Sequence, residues 1–247
     1  MMGRALGVDI AQTRRSLQGS RRFLRDARHY RQFNQRDTFD ISVRDAYPVL
    51  TEFTDEAGDV RGHYFHQDLW AARLIYERRP EKHVDIGSRI VGFVAHLLLF
   101  MPVTVVDVRP LTSEVPGLNF LQSDGANLSA IETESVLSLS CLHAIEHFGL
   151  GRYGDEINPE GPFLAMKEFA RVLRPGGRLY LSTPIGRERV QFNAHRVFSP
   201  NTILSECPLD LVSFAAVDDD GRLQLDGHPS DYTDARYSCG LFEFAKN

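Results

Sequence analysis

The sequence predicts an α/β protein with a mostly parallel central sheet, and three observations support this fold class. From residue 63 onward, short apolar segments typical of buried strands alternate with segments of helical periodicity. Two such strands, Val84–Ile86 and Val103–Asp107, flank the segment Ile90–Leu99, as expected for parallel strands joined by a crossover helix. The last two apolar segments have no long helix between them, which indicates an antiparallel hairpin at one edge of the sheet.

Taken in order along the chain, seven strands and four helices are predicted. The strands are Val84–Ile86, Val103–Asp107, Leu118–Leu121, Ser135–Ser140, Arg178–Ser182, Leu209–Val217 and Tyr237–Phe244. The helices are Gln67–Arg79, Ile90–Leu99, Pro162–Leu173 and one that opens at Ser199. Pro80 ends the first helix because proline cannot continue it, and Ser199 followed by Pro200 suits the start of the last one.

The chain is predicted to divide into a basic, partly helical extension, residues 1–62, and a Rossmann-like domain, residues 63–247. The first 36 residues carry nine arginines, among them Arg4, against only two aspartates. Leu17 and Leu24 are seven residues apart and so share one face of a helix. This arm is therefore expected to pack on the body or on a second subunit of a homo-oligomer. Contact of residues 1–36 with anionic lipid at a membrane surface is the alternative.

Composition excludes several classes of protein. A net charge of −5 argues against nucleic acid as a partner, since proteins that bind phosphate backbones normally carry a basic surplus. The three cysteines, Cys141, Cys207 and Cys239, lack metal-type spacing and are typical of a reducing compartment. Neither a secretory leader nor a transmembrane segment is predicted, because the longest apolar run, residues 90–103, is too short and too polar. The expected location is the cytoplasm.

The segment around Gly87 indicates a nucleoside ligand. A strand runs into Asp85 and Gly87, and the next strand ends in Asp107. In Rossmann-like folds such a glycine lets the backbone approach the ligand, and the second acid binds the ribose hydroxyls. Arg89 stands where a dinucleotide loop needs its second glycine, which disfavours an NAD-type oxidoreductase. A nucleoside cofactor without phosphates fits better, and S-adenosylmethionine is the common one.

Four motifs in this order resemble the class I methyltransferases over about residues 64–244. They are Val84-Asp85-Ile86-Gly87, the strand end Asp107, Ser123-Asp124-Gly125, and Arg171-Val172-Leu173-Arg174-Pro175-Gly176-Gly177. More narrowly, Gly151-Arg152-Tyr153-Gly154-Asp155 and Phe192-Asn193-Ala194-His195-Arg196 resemble a methyltransferase-like family associated with glycan assembly. The resemblance implies the class I methyltransferase fold and S-adenosylmethionine as cofactor.

The resemblance also implies roles for seven cofactor-binding residues. Asp85 is expected at the cofactor ammonium, Gly87 and Ser88 at its methionine part, Asp107 at the ribose, Asp124 and Gly125 at the adenine, and Ser140 beside them. A purely structural alternative is that the acids satisfy helix N-termini. Arg89 departs from the family, which usually has a small residue there. Arg89 points outward, meets the cofactor carboxylate, or blocks the site and leaves a non-catalytic binding or scaffold protein.

The segment after the fourth strand supplies candidate bases. His147 is the first choice, because histidine titrates near neutral pH, and His195 is the second. His143, Glu146 and His147 also match the inverted zinc-protease pattern, which needs a long helix. Because Gly149 and Gly151 interrupt such a helix, the match is interpreted as accidental and no metal is predicted.

Two loops are predicted to bind the acceptor. Arg152 and Tyr153 suit hydrogen bonding and stacking on a sugar, and Arg196 suits a phosphate or carboxylate; anchoring of the loops through backbone carbonyls is the alternative. The run Asp218–Asp220 before Gly221 is interpreted as a turn. The predicted function is methylation by S-adenosylmethionine of a hydroxyl on a small molecule, sugar or glycan intermediate.

Overall fold

The computed structural model describes residues 10–55, 57–58 and 60–247. Arg4 and the rest of the predicted extension before Ile10 lie outside the described residues. The contacts divide the chain into two compact units, one before residue 60 and one from Val60 to Asn247. The second unit carries all the residues singled out above for cofactor or acceptor binding.

The second unit is organised around one large sheet and a small separate one. The strands are β1 His83–Ile86, β2 Val103–Asp107, β3 Leu118–Gln122, β4 Val136–Leu142, β5 Leu173–Ile185, β6 Arg189–Gln191, β7 His195–Val197, β8 Asp210–Val217, β9 Leu223–Gln224 and β10 Ser238–Ala245. The large sheet has the order β3-β2-β1-β4-β5-β10-β8-β9, and β6 pairs with β7. Strands β1 to β5 are parallel, and β10 is antiparallel to both β5 and β8.

The antiparallel edge differs from the prediction in two respects. The sheet has eight strands rather than seven, because the two-residue strand β9 pairs with β8 beyond the acidic turn at Asp218. The last strand in sequence, β10, lies inside the sheet between β5 and β8. The prediction that residues 218–221 form a turn agrees with this hairpin, in which Asp218 Oδ1 accepts hydrogen bonds from the backbone of Asp220 and Arg222.

Five α-helices accompany the strands among the described residues. They are α1 Ile10–Phe33, α2 His63–Arg78, α3 Ala95–Leu97, α4 Gly161–Val172 and α5 Pro200–Glu206. The crossover after β1 is less regular than predicted, since a π-helical turn, Ile90–Val94, precedes the short α3. Gly92 in this turn packs against the buried carboxylate of Asp68, which leaves no room for a side chain there.

Apolar side chains cover both faces of the large sheet. On one face, Trp70 and Ile75 of α2 and Phe93 of the π-helical turn pack together. On the other, Phe169 of α4 and Ile203 of α5 pack together with Phe242 and other sheet residues. With both faces covered, the ends of the parallel strands are the places where polar groups meet a ligand, as is usual for doubly wound sheets.

The first unit consists of α1 and a segment that folds back along it. The Tyr30 hydroxyl donates to the carbonyl of Phe39, and the Arg31 guanidinium donates to that of Ile41. Leu17 and Leu24 are exposed. No helix in the described part of the chain has the length and hydropathy that a bilayer crossing requires. Packing of this arm and its contact with lipid both stay predictions.

Candidate functional site

The carboxyl ends of β1 to β4 surround two adjoining spaces. The inner pocket has a volume of about 60 Å³ and is lined by residues that include Gly87, Asp107, Asp124 and Gly125. The outer cavity has a volume of about 720 Å³ and includes Arg89, Arg152, His195 and Tyr237 in its wall. The two spaces share Gly87, Asp107, Arg109, His143, His147 and Tyr153. Residues predicted separately for cofactor and acceptor therefore meet at one edge of the sheet.

Glycine is required at two positions in the wall of the inner pocket. Gly87 follows β1 with φ +71°, a left-handed conformation that disfavours side chains, and a Cβ there would lie 3.0 Å from that of Ala144. At Gly125 a Cβ would lie 2.7 Å from the Phe148 ring and 2.8 Å from Ile86. Both positions bring bare backbone to the pocket, as the sequence predicted for a ligand that packs against it.

Asp107 lies at the pocket and has an internal partner. Its carboxylate accepts hydrogen bonds from Nε and a terminal nitrogen of Arg109 at 3.0 and 2.7 Å, and from the Arg109 backbone at 2.9 Å. The Arg109 guanidinium lies over the Tyr153 ring, 4.4 Å from its centroid. Asp107, Arg109 and Tyr153 thus form a stack between the two spaces. Sequence reasoning missed Arg109, although its position two residues after a strand-end acid suits such a turn.

Asp124 lies in the loop after β3 and lines the inner pocket. Its Oδ1 accepts a hydrogen bond from the backbone of Ala126 at 2.9 Å, which fixes the turn that carries Gly125. Asp107 ends β2, Asp124 follows the adjacent parallel strand β3, and both line the same pocket. The arrangement offers two carboxylates and a bare backbone segment to one ligand.

Asp85 and Ser140 lie behind the pocket wall, fully buried. Asp85 Oδ1 accepts hydrogen bonds at 2.5 Å from the hydroxyls of Ser88 and Ser140, and Oδ2 accepts from the Ser88 backbone at 3.0 Å. Burial raises the pKa of Asp85 to about 6, against the effect of these hydrogen bonds. His83 continues the network through Ser140 and Ser138, and burial lowers its pKa to about 3.

Arg89, the departure from the methyltransferase pattern, points away from the inner pocket. It is exposed, its guanidinium lies over the Tyr64 ring at 4.8 Å from the centroid, and it lines only the outer cavity. Arg89 therefore leaves the inner pocket free. In the outer cavity it stands in the same wall as Gly87, Ser88 and Asp107, where its guanidinium can meet a ligand.

His143 and Glu146 form a buried pair at the end of β4. His143 Nδ1 lies 2.6 Å from Glu146 Oε1, and the His143 backbone has φ +51°, a conformation that is costly for a non-glycine residue. Burial by itself lowers the pKa of His143, but the negative charge of Glu146 holds it well above its usual value. The carboxyl pKa of Glu146 is lowered by His143 despite burial.

Two residues distant in sequence complete this part of the wall. His63 Nδ1 lies 2.9 Å from His143 Nε2, and the His63 ring stacks between His143 and Tyr237 at centroid distances of 5.0 and 5.2 Å. Burial lowers the pKa of His63 to about 4. No local pattern points to His63 or Tyr237, because 80 and 94 residues separate them from His143.

His147 lines both spaces. Its Nδ1 lies 2.7 Å from the carbonyl oxygen of Ala194, and its Nε2 lies 3.7 Å from Glu146 Oε1. Arg152 also approaches Nδ1, at 3.3 Å, but the carbonyl is closer and can only accept, so the contacts favour a proton on Nδ1 and a lone pair on Nε2. Burial lowers the pKa of His147, which favours this neutral form.

His195 lies on β7 and lines the outer cavity. Its ring packs against Tyr237 at 5.2 Å and against His147 at 6.5 Å between centroids. Among the described side chains, its Nε2 is one of two buried nitrogens that have no hydrogen-bond partner. A polar group of a ligand in the cavity would satisfy it.

The three residues predicted to bind the acceptor are placed differently from one another. Arg152 and Tyr153 line the outer cavity, and Arg152 donates to the Ala194 carbonyl at 2.8 Å. Arg196 lies outside both linings and donates to the Phe148 carbonyl at 2.6 Å and to that of Pro159 at 3.5 Å. Its guanidinium therefore ties β7 to the loop that follows β4.

The pattern shared by His143, Glu146 and His147 does not lie on a long helix. Strand β4 ends at Leu142, and residues Ile145–His147 form a single 3-10 turn. The helical geometry that a zinc-protease motif needs is therefore missing, as the sequence reasoning expected.

Comparison with known proteins establishes the fold. The N-methyltransferase NodS from Bradyrhizobium japonicum WM9, in complex with S-adenosylhomocysteine, is 16% identical over 73% of this chain and 86% of its own, with a TM-score of 0.51. The 1,6-didemethyltoxoflavin-N1-methyltransferase from Burkholderia thailandensis, with 1,6-didemethyltoxoflavin and S-adenosylhomocysteine bound, is 15% identical over 73% of this chain and 79% of its own, with a TM-score of 0.50. The [4+2]-cyclase SpnF is 14% identical over 77% and 85%, with a TM-score of 0.53.

These likenesses confirm the predicted Rossmann-like methyltransferase fold, and structural neighbours include S-adenosylmethionine-dependent methyltransferases. A family model described as "Caenorhabditis protein of unknown function, DUF268" matches residues 131–205, less than half of the chain. No curated protein matches the sequence. The narrower resemblance to a glycan-associated family stays a prediction.

Proposed function

We propose that the protein is an S-adenosylmethionine-dependent methyltransferase whose acceptor is a hydroxyl of a sugar or glycan intermediate. The observation that carries this proposal is the convergence of Gly87, Asp107 and the Asp124–Gly125 turn on one pocket, which opens beside the outer cavity with its histidines. The fold and the S-adenosylhomocysteine bound in two of the similar structures support it.

The residues of the inner pocket fit an adenosine. Asp107 offers two carboxylate oxygens to ribose hydroxyls, Asp124 offers a second acid in the adenine region, and the backbone at Gly125 allows a planar base to approach closely. Asp85 and Ser140 act from behind the wall, where their hydrogen bonds hold Ser88 and so the loop that carries Gly87. We assign them to positioning rather than to direct contact.

Bound S-adenosylmethionine supplies an electrophilic methyl group, so the protein has to align the acceptor and remove one proton. Nε2 of His147 would take the proton of the acceptor hydroxyl, whose oxygen would receive the methyl group as the bond between that group and the cofactor sulfur breaks. The Ala194 carbonyl holds the ring through Nδ1, and Arg152 shares that carbonyl. His195 Nε2 has no partner among the described residues and binds a second acceptor oxygen.

The aromatic and cationic wall of the outer cavity supports an oxygen-rich acceptor. Tyr64, Tyr153 and Tyr237 provide ring faces and hydroxyls, and Arg89 and Arg152 provide donors. Sugars are commonly bound by such a mixture of stacking and hydrogen bonds. Arg196, whose donors are directed to backbone carbonyls, is assigned to anchoring the loop.

A non-catalytic binding protein of the same fold is the second candidate. Two observations favour it: Asp107 is already paired with Arg109, and the inner pocket has a volume of only about 60 Å³. In that case the Asp107–Arg109 pair stays closed and adenosine does not enter.

Calorimetric titration with S-adenosylhomocysteine separates the two candidates. The methyltransferase proposal expects one binding site per chain, weakened in Asp107→Ala by about 1.5–3 kcal/mol, roughly ten- to a hundredfold, because hydrogen bonds to a charged group are lost. Asp220→Ala, an exposed acid in the β8–β9 turn, is the matched control and should bind like the wild type. Absence of binding at millimolar ligand would overturn the proposal, and equal affinity for Asp107→Ala would place the ribose elsewhere.

A further inference from the structure

Three potential metal ligands that are far apart in sequence lie close together, and one of them, His143, lines the outer cavity. One nitrogen of His63, one nitrogen of His143 and the Cys239 sulfur all lie within 4.8 Å of one another. His63 begins α2, His143 follows β4, and Cys239 lies on β10. Only the sheet order, which places β5 alone between β4 and β10, brings them together.

The orientation of the two rings suits a shared ion. His143 Nδ1 is held by Glu146 at 2.6 Å, so Nε2 is the nitrogen that faces His63 Nδ1, at 2.9 Å. A carboxylate bound to the far nitrogen of a histidine is the arrangement that orients metal-binding histidines in many proteins. Two nitrogens bound tetrahedrally to one zinc ion lie about 3.3 Å apart, given Zn–N distances of about 2.0–2.1 Å. The rings need to separate by a few tenths of an ångström and to tilt so that both nitrogens face the ion instead of each other.

We propose that His63, His143 and Cys239 bind a single transition-metal ion of the zinc class, with Glu146 orienting His143. Two imidazoles and a thiolate form a donor set that selects zinc-like ions over magnesium or calcium. Binding releases two protons to solvent, the one in the hydrogen bond between the rings and the one on the Cys239 thiol. No metal was predicted from the sequence. The inverted zinc-protease pattern pairs His143 with His147, whereas this site pairs His143 with His63 and Cys239.

The site has three protein ligands and therefore one open position. His143 lines the outer cavity, and Tyr237, whose ring stacks on His63, lines it too. We place the open fourth position on the His143 side, where the cavity begins; catalytic zinc sites keep such a position for water or substrate. This proposal is independent of S-adenosylmethionine binding.

Titration of the full-length chain with Co²⁺ alone tests the site. Cobalt bound to a thiolate absorbs in the near ultraviolet by charge transfer, so we expect that band to saturate at one ion per chain and Zn²⁺ to abolish it. The band should vanish in Cys239→Ser and persist in Cys207→Ser, which removes another buried free cysteine in the core. No saturable band in the reduced wild type, or a band that survives Cys239→Ser, would overturn the proposal.

A second variant covers the case in which Cys239→Ser fails to fold. His63→Gln changes a partly exposed residue at the start of α2. Loss of a group that only orients a metal ligand typically weakens metal binding roughly 10–100-fold. His63→Gln removes a ligand itself, so it should weaken Co²⁺ binding by more than that. Unchanged affinity in a folded His63→Gln chain, checked by circular dichroism, contradicts the assignment.

Discussion

The two ring nitrogens of His147 have different partners, and this difference decides which of them can accept a proton. Nδ1 faces a carbonyl oxygen at 2.7 Å, and Nε2 lies at the cavity with a carboxylate oxygen 3.7 Å away. The ring is therefore fixed in the tautomer that leaves Nε2 available. His195 lacks such an orienting contact, and its ring is held by Tyr237 instead.

Long-range proton–nitrogen NMR correlation tests this tautomer directly. We expect the His147 ring at neutral pH to show a protonated Nδ1 and an unprotonated Nε2, because Ala194 can only accept. Comparison with His147→Gln, which removes just that pair of signals, assigns them. A proton on Nε2 would exclude His147 as the base and leave His195 as the candidate.

The strand-end acids illustrate what single residues in a sequence can and cannot reveal. Asp85, Asp107 and Asp124 were predicted together as cofactor ligands, and Asp107 and Asp124 do face the inner pocket. Asp85 is fully buried, because β1 pairs with β4 in a register that sets Asp85 beside Ser140. That register is a long-range property, so the alternation of residues along β1 alone could not reveal it.

Strand β7 and the loop after β4 are joined by Arg196. Its guanidinium bonds the carbonyls of Phe148 and Pro159, which lie at the two ends of a loop that also carries Arg152 and Tyr153. The β6–β7 hairpin thus fixes one border of the outer cavity. The sequence placed Arg196 beside the acceptor loops but could not show that its donors point into the protein.

Loss of this anchor should loosen the loop selectively. In Arg196→Ala we expect faster amide hydrogen exchange in residues 148–160 and a free energy of unfolding lower by about 1.5–3 kcal/mol, the range for hydrogen bonds from a charged group. Arg187→Ala, at an exposed arginine before β6, is the control. Exchange that rises equally throughout the chain would contradict a local role.

The strands were easier to predict than the crossover after β1. All seven predicted strands appear, since each is a short apolar run bounded by turn residues. The predicted helix Ile90–Leu99 is instead a π-helical turn and a three-residue helix. Its apolar pattern suits both forms. The local packing depends on the contact of Gly92 with Asp68 on α2, and a contact between distant residues cannot be read from the local sequence.

The stability of the second unit depends on a polar network in its interior. Asp85, Ser88, Ser140 and His83 are all buried and hydrogen-bonded to one another in series across β1 and β4. Because burial raises the pKa of Asp85 to about 6 from a usual 3.8, the folded chain keeps this proton where the unfolded chain has lost it. The contribution of Asp85 to stability is therefore full below about pH 4 and lost as the pH rises to about 6.

Urea unfolding at several pH values tests this network. The pKa of Asp85 differs by about two between the folded and the unfolded chain, which corresponds to about 3 kcal/mol in the free energy of unfolding. The free energy of unfolding is measured for the wild type and for Asp85→Asn, and the second value is subtracted from the first. This difference should fall by up to that amount between pH 4 and pH 7. Histidines titrate in both chains, so their contribution cancels in the difference. A difference that is constant across this range would show that Asp85 ionises normally.

The overall topology was predictable, whereas the reaction is not fixed by it. Alternating strands and helices led to the sheet, and the sheet brought Gly87, Asp107 and His147 to one edge as expected. Yet SpnF, which has a similar fold, is named a [4+2]-cyclase, so this fold supports reactions other than methyl transfer. His63 and Cys239 joined His143 only through the order of β4, β5 and β10.

The Arg109–Asp107 pair carries a consequence for ligand selection. Asp107 holds two side-chain hydrogen bonds from Arg109, so a nucleoside that displaces them must return two donors of its own. A ribose has adjacent 2′- and 3′-hydroxyls and can do so, whereas a deoxyribose leaves one carboxylate oxygen poorly satisfied. In the proposed complex, the arginine that pairs with Asp107 therefore also discriminates between the two sugars.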